Sequence, residues 1–285
     1  MDDELEHLCS HWFECGDYEA VIDTVTALEP NQRSAELKYL LQLAQKRVRE
    51  ILQAQVQFVS DLDRSLGPSE VYAPAEIAAL EQHIERNYGS IADVIHEPEG
   101  QSQVIKVDIY VVAPSKERPF YTLITLGMGA HKMAVPLELP AAQLERAEII
   151  ILLPATWKLD AKSLKYQRWS WPLSVLKTMA RLGLLTDSYV SPGYVVDYNG
   201  AIVHNSKLCG WVLLGGDAMA VSSEVGLLPK GEVVNFYQLV PLHQYELAYA
   251  LEHDWRALLA QLGEFSTVVD VTRPDRLAPE CQATR

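Results

Sequence analysis

Within the stretch RAEIIILLPATW, residues 147–153 form a short, predominantly apolar run closed by Pro154. A run of this length is far too short for a membrane-spanning helix. Its branched side chains and proline stop favour a strand over a helix. Apolar on both faces, it predicts a central strand buried on both sides. Such a strand needs paired neighbours in a sheet and packed elements to cover it.

The surrounding segments supply both. Val107, Ile109 and Val111 alternate with Asp108, Tyr110 and Val112, so 104–113 reads as a strand. PSKERP is a turn, and Phe120–Leu126 is a second strand, which together predict an antiparallel hairpin. Further on, residues 172–185 read as a helix, 211–214 and 233–240 as strands, 242–262 as a helix, and 266–271 as a final strand. Strands that first meander and then alternate with helices predict an α+β fold. The expected architecture is a mixed, mainly antiparallel sheet sandwich with packed helices.

The first 66 residues follow a different period. Leu5, Leu8, Trp12 and Phe13 recur at helical spacing, as do Tyr18, Val21, Ile22, Val25 and Leu28, with Gly16-Asp17 between them and Pro30-Asn31 after them. A third helical run follows from Ser34 to about Leu66. The GDYEA turn with its proline exit resembles one tetratricopeptide repeat, and no second copy follows. A lone hairpin of this kind must lean on the rest of the protein. The expected division is a helical extension over 1–66, an α/β domain over 71–276 and a tail over 277–285. Pro74, Glu76 and the stripe Ile77, Leu80 and Ile84, ending at Gly89, predict an amphipathic helix at the start of the second part.

Charge divides the chain as well. Residues 1–100 carry 20 acids and 7 bases, and residues 101–285 carry 18 acids and 17 bases. An acidic front end disfavours nucleic acid and anionic membrane as partners. The start, MDDELEHL, has no basic-then-apolar leader pattern, so a cytoplasmic location is expected. The four cysteines, Cys9, Cys15, Cys209 and Cys281, have no CxxC spacing, which points to reduced structural thiols.

Several short motifs invite chemical readings. Gly127-Met128-Gly129 has the glycines of a phosphate loop, but AHKMAVPLELP follows it with two prolines instead of a helix. Glycines serving a strand-end turn are the better reading. His7, Cys9, His11 and Cys15 share one short helix, yet HLCSH lacks the glutamate of an HExxH site. Packing and surface roles are preferred to metal. Ser191, Asp197 and His204 have no spacing that brings a nucleophile and base together, and GxSxG is absent. No cofactor motif is found. The segment WKLDAKSLKYQRWSWP interleaves Trp157, Tyr166, Trp169 and Trp171 with Lys158, Lys162, Lys165 and Arg168. It reads as tryptophans plugging the core edge, or as a protein contact, the acidic N-terminal helices included.

The ordered phrases VDIYVVAP…RPFYTLITLGMGAHKMAVP, RAEIIILLPATW, WPLSVLKTMARL, GEVVNFYQLVPLHQYELAYALEHD and VVDVTRPD resemble the suppressor-of-fused domain in its bacterial form. The resemblance covers about 71–276. It marks Asp108, Gly127, Pro136, Pro172, Asp270 and Arg273 as structural motif positions. It implies a mixed α/β sandwich and no enzymatic activity. In animals the family protein clamps Gli-type transcription factors between this domain and a second one. The sequence ends at Arg285, soon after the closing strand, so that function is not carried over. Similar bacterial domains are associated with toxin loci as immunity proteins.

The reading is therefore a non-enzymatic protein-binding module whose expected partner is a toxin domain. Its candidate contacts, chosen by residue type, are Trp157, Arg168, Trp169 and Trp171, with Met128, His131 and Met133 second. Acids such as Glu76, Glu81 and Glu85 would steer a basic partner. An adaptor working through the helical hairpin is the alternative, and a small-molecule hydrolase is a third reading. The sequence leaves the oligomeric state open.

Overall fold

The computed structural model describes residues 2–14, 18–47, 70–97, 105–198, 200–203, 206–263 and 265–279. The expected helical stretch 48–66 lies outside these residues. At the front, α1 (Asp2–Glu14), α2 (Tyr18–Ala27) and α3 (35–47) follow the periodicity of the sequence. Their apolar stripes bury Cys9, Val21, Val25, Leu37, Leu40 and Ala44 in a cluster of their own. Phe13 meets Tyr18 edge-on across the connection, with ring centroids 5.1 Å apart.

The rest is built on one mixed sheet. Its strands are β1 (Ile91–Ile95), β2 (Asp108–Val112), β3 (Phe120–Leu126), β4 (Ala147–Pro154), β5 (Val195–Asp197), β6 (Leu208–Leu214), β7 (Gly226–Leu227) and β8 (Val233–His243). The order is β1-β2-β3-β4-β8-β6-β5, with β7 paired to β8. Only β4 and β8 run parallel; the other pairs of this sheet are antiparallel. The predicted hairpin is the β2–β3 pair, with Tyr110 opposite Ile124. The run 147–153, apolar but for Glu148, falls in β4, which is central and buried along its length except at its last residue, Pro154.

Alternation of side chains assigns each face its core. One face carries Ile109, Val111, Ile149, Ile151, Leu213 and Leu239 against α6 (Gln167–Leu185). The other carries Tyr110, Val112, Ile150, Leu152, Phe236 and Leu242 against α4 (Pro74–Asn87), α7 (Gln244–Glu252) and α8 (Trp255–Leu262). A short α5 (Ala141–Leu144) leads into β4. Both sheet edges are blunted. β5 has three residues, and β1 has an irregular register between Ile91 and Asp93, where the Asp93 carboxylate accepts the Val94 N–H at 2.9 Å.

Three expectations change, and two edge strands were not expected at all. The helix read from Pro172 begins at Gln167, which puts Pro172 inside α6, where it has no N–H to give the Arg168 carbonyl. The helix read over 242–262 is two, because Leu242 and His243 finish β8 and the Asp254 carboxylate caps α8 by accepting the Arg256 N–H. Residues 266–271 form no strand; Val269 donates once to the Leu152 carbonyl at 2.9 Å. The edge strands β1 and β5 carry too little apolar alternation to be read from sequence.

Candidate functional site

The Gly-Met-Gly corner is a cradle already filled by the chain itself. Gly127 and Gly129 donate their N–H groups to Glu148 Oε1 at 3.0 and 3.1 Å. The Tyr72 hydroxyl donates to the same oxygen at 3.1 Å, and the Thr125 hydroxyl to Oε2 at 2.6 Å. Glu148 is fully buried at the start of β4. Burial pushes its carboxyl up to about 7, against these four hydrogen bonds, which pull it down. Gly127 is required at the bend: its φ is +133°, and a Cβ there would run into the Lys106 carbonyl oxygen. Arg146 closes the corner from outside, donating to the carbonyls of Gly129 and Ala130 at 2.6 and 2.8 Å and to Glu232 at 3.0 Å.

Two further buried acids hold the scaffold. Glu246, fully buried on α7, accepts both Nη atoms of Arg273 at 2.6 Å and the N–H groups of His243 and Arg276. Burial alone would raise its carboxyl, but the Arg273 bonds and charge outweigh it, and the net direction is down. Asp270 does not pair with Arg273 through its side chain; it accepts from Thr272 N and Oγ1 at 2.9 and 2.7 Å and so shapes the turn that aims Arg273. Glu97 takes the Arg181 guanidinium at 2.7 Å on both oxygens, and Asp108 accepts the Glu97 N–H at 2.9 Å. Pro136 opens an exposed turn, its carbonyl accepting Leu139 N–H at 3.0 Å.

The aromatic–basic segment divides into a buried base and an outer face. Trp157 and Trp171 belong to the core, 8% and 2% exposed. The Trp157 ring stands edge-on to Trp169 at 5.3 Å and to Trp171 at 6.1 Å, and its N–H donates to the Trp169 carbonyl at 3.0 Å. Trp169 is half-buried on this base. Lys158 Nζ lies 5.5 Å from the Trp169 ring centre. The Arg168 guanidinium lies 5.4 Å from that of Tyr166 and 5.9 Å from that of Trp169. Lys158, Tyr166, Arg168 and Trp169 thus form a platform on the sheet domain. Arg168 also donates to Asp23 of α2 at 2.7 Å.

Burial corrects several candidate contacts. Trp157 and Trp171 serve packing; only Trp169 and Arg168 of the first set reach the surface. Met128 and Met133 are core residues, and Met133 sulfur accepts the Val190 N–H at 3.4 Å. His131 is occupied by Glu70 at 3.1 Å. Among the proposed steering acids, Glu76 caps α4 by accepting the Ala73 N–H at 2.8 Å and Glu81 accepts the Tyr110 hydroxyl at 2.9 Å, which leaves Glu85 exposed. Sequence reasoning missed Glu148 and Glu246; an acid inside an otherwise apolar strand, and one three residues past a strand end, were the available signals.

Among the described residues no group of three His, Cys, Asp or Glu is placed to hold a metal. Cys9 is buried in the front cluster, His7 and His11 are exposed, and Cys15 and His204 lie outside the described residues. A shallow cleft, with room for little more than a water molecule, runs beside Leu208, Val240, Asp270 and Arg273. No described helix is long and apolar enough to cross a membrane.

Comparison with known proteins gives this scaffold a family. The Suppressor of fused protein (SUFU) family matches residues 103–277. No curated protein matches the chain. A chain of the Sufu-Fu complex crystal structure is similar with a TM-score of 0.51 and 17% identity, over 74% of this chain and 97% of that one. Drosophila Suppressor of Fused gives a TM-score of 0.47 and 16% identity over 74% of this chain, which spans 54% of the Drosophila chain. A suppressor-of-fused homologue from Neisseria gonorrhoeae gives 0.46 and 14%, over 72% of this chain and 96% of that one. With the family matched over more than half of its length, on a mixed sheet whose glycine corner, buried acids and closing arginine have just been described, the chain belongs to the suppressor-of-fused family.

Proposed function

We propose that this protein is a non-enzymatic protein-binding module that holds its partner by occlusion, through the platform of Lys158, Tyr166, Arg168 and Trp169. The observation that carries the reading is the mounting of that platform. Trp157, itself packed edge-on to Trp171, holds Trp169 from below, and the Arg168 guanidinium lies near the Tyr166 and Trp169 rings. A pre-positioned tryptophan and arginine on a rigid base are the groups that dominate protein interfaces, because little freedom is lost when they are covered.

The buried acids support the non-enzymatic part. Glu148, Glu246 and Glu97 are each consumed by donors of the scaffold, with their oxygens turned to backbone amides, hydroxyls or arginines. In the Sufu-Fu complex a protein of this fold is bound to another protein. For this chain we take a toxin domain, held stoichiometrically, as the partner class.

Affinity capture with the intact protein, followed by the Arg168→Glu/Trp169→Ala variant, tests the reading. One stoichiometric partner retained by the native protein and lost by the folded variant supports it. Equal retention by both moves the contact elsewhere, and removal of the helical front end then tests the adaptor alternative.

A further inference from the structure

We propose that the N-terminal helical unit is a charge-held cap over this platform, with Asp23 on α2 and Arg168 at the start of α6 as its clasp. The two residues are 145 positions apart in sequence, and Arg168 Nη2 donates to Asp23 Oδ2 at 2.7 Å. The aromatic rings of Tyr166 and Trp169 hold the guanidinium from the platform side, and the Asp23 carboxylate takes it from the helical unit.

Charge favours the same pairing. Residues 1–47 carry ten acids and four bases, while residues 157–172 carry four bases and one acid. A net basic segment of the sheet domain thus meets a net acidic front end at this ion pair. The helical unit has an apolar cluster separate from the two that cover the sheet, so its own packing does not require the platform.

The clasp is built to open. Arg168 and Asp23 side chains are 51% and 30% exposed, and a pair that wet shifts an equilibrium by only about two- to fivefold. The chain where it enters the sheet domain is fastened separately. Glu70 forms a parallel bridge to Ile105 and an ion pair with His131, and Tyr72 is hydrogen-bonded to Glu148. Release of Asp23 therefore moves the cap while residues 70–73 stay docked. A partner that takes the platform displaces Asp23 and places its own carboxylate on Arg168. The contacting partner segment is thus acidic.

A cap matters to function only if the platform docks a partner, as proposed above, but its presence is measurable without one. Hydrogen exchange of the full chain reads it at the Trp169 and Ser170 amides, both bonded to the Tyr166 carbonyl at 3.0 Å, and across α2. Asp23→Arg and Arg168→Asp should each accelerate exchange in both segments by about two- to fivefold, and the double charge swap should restore protection. Raising salt from about 0.1 to 1 M should loosen the native protein alike, since the screening length falls from about 10 to 3 Å. Exchange that neither single variant changes, or that the swap leaves fast, overturns the cap. Neither result bears on whether a partner is captured, so the two proposals fail separately.

Discussion

The hydroxyl of Tyr72 and the carboxylate of Glu148 meet at 3.1 Å in the interior, 76 residues apart in sequence. Tyr72 brings in the chain that precedes α4; Glu148 begins the central strand. Two glycine amides and a threonine hydroxyl complete the same site, so one buried acid ties the entry strap, the glycine corner and the sheet together.

Glu148 gives stability an unusual pH sign. Its folded pKa is raised to about 7 from 4.5, so the folded state holds a proton that the unfolded state has lost between those values. Its contribution is full below about 4.5 and is lost as pH rises through about 7, a change of up to about 3 kcal/mol. Glu148→Gln should remove that slope: the gap in melting temperature between variant and native protein moves in the variant's favour from pH 5 to pH 8. Glu148→Ala strands four donors and should cost about 3 kcal/mol or more at either pH. Thermal unfolding across pH measures both.

Glu246 carries the opposite sign. Its pKa is depressed by Arg273, so its contribution is present above the unfolded carboxylate range and is lost as pH falls through and below it. Arg273→Ala would leave a fully buried carboxylate unpaired and should cost about 3–5 kcal/mol in chemical denaturation at pH 7. Part of that loss should disappear on acidification, where the orphaned acid takes up a proton.

Gly127→Ala tests the corner geometry. Positive φ and the collision with the Lys106 carbonyl act together, so it should destabilise by more than about 2 kcal/mol. Gly200→Ala meets nothing within 4 Å and pays only for its φ of +151°. Denaturant midpoints of the two variants should differ in that order.

The tryptophans should separate packing from binding. Trp171→Ala opens the core and should cost about 3–5 kcal/mol, whereas Trp169→Ala, half-exposed on the same base, should cost less than half as much. Equilibrium unfolding of the two variants checks the ranking.

What was legible in the sequence follows from how local its cause is. Ile149–Leu153 announced a central strand because apolarity on both faces has few other outcomes, and the β2–β3 hairpin showed in its alternation. The resemblance in ordered phrases identified the family. The break at His253-Asp254 was hidden because α7 and α8 share one apolar rhythm, interrupted only by a cap. At the site, residue type alone could not tell Trp169 from Trp171, since two positions along one helix decide whether a ring faces solvent or core. Arg168 meeting Asp23 is a long-range contact that neither local pattern contains.

The central claim is that the platform binds a protein. Its most direct test is calorimetric titration of the captured partner into the native protein and into Arg168→Glu/Trp169→Ala, with both melting curves recorded. Affinity falling at least about tenfold, with the fold intact, is the predicted result. Equal affinity for the two folded proteins would contradict it.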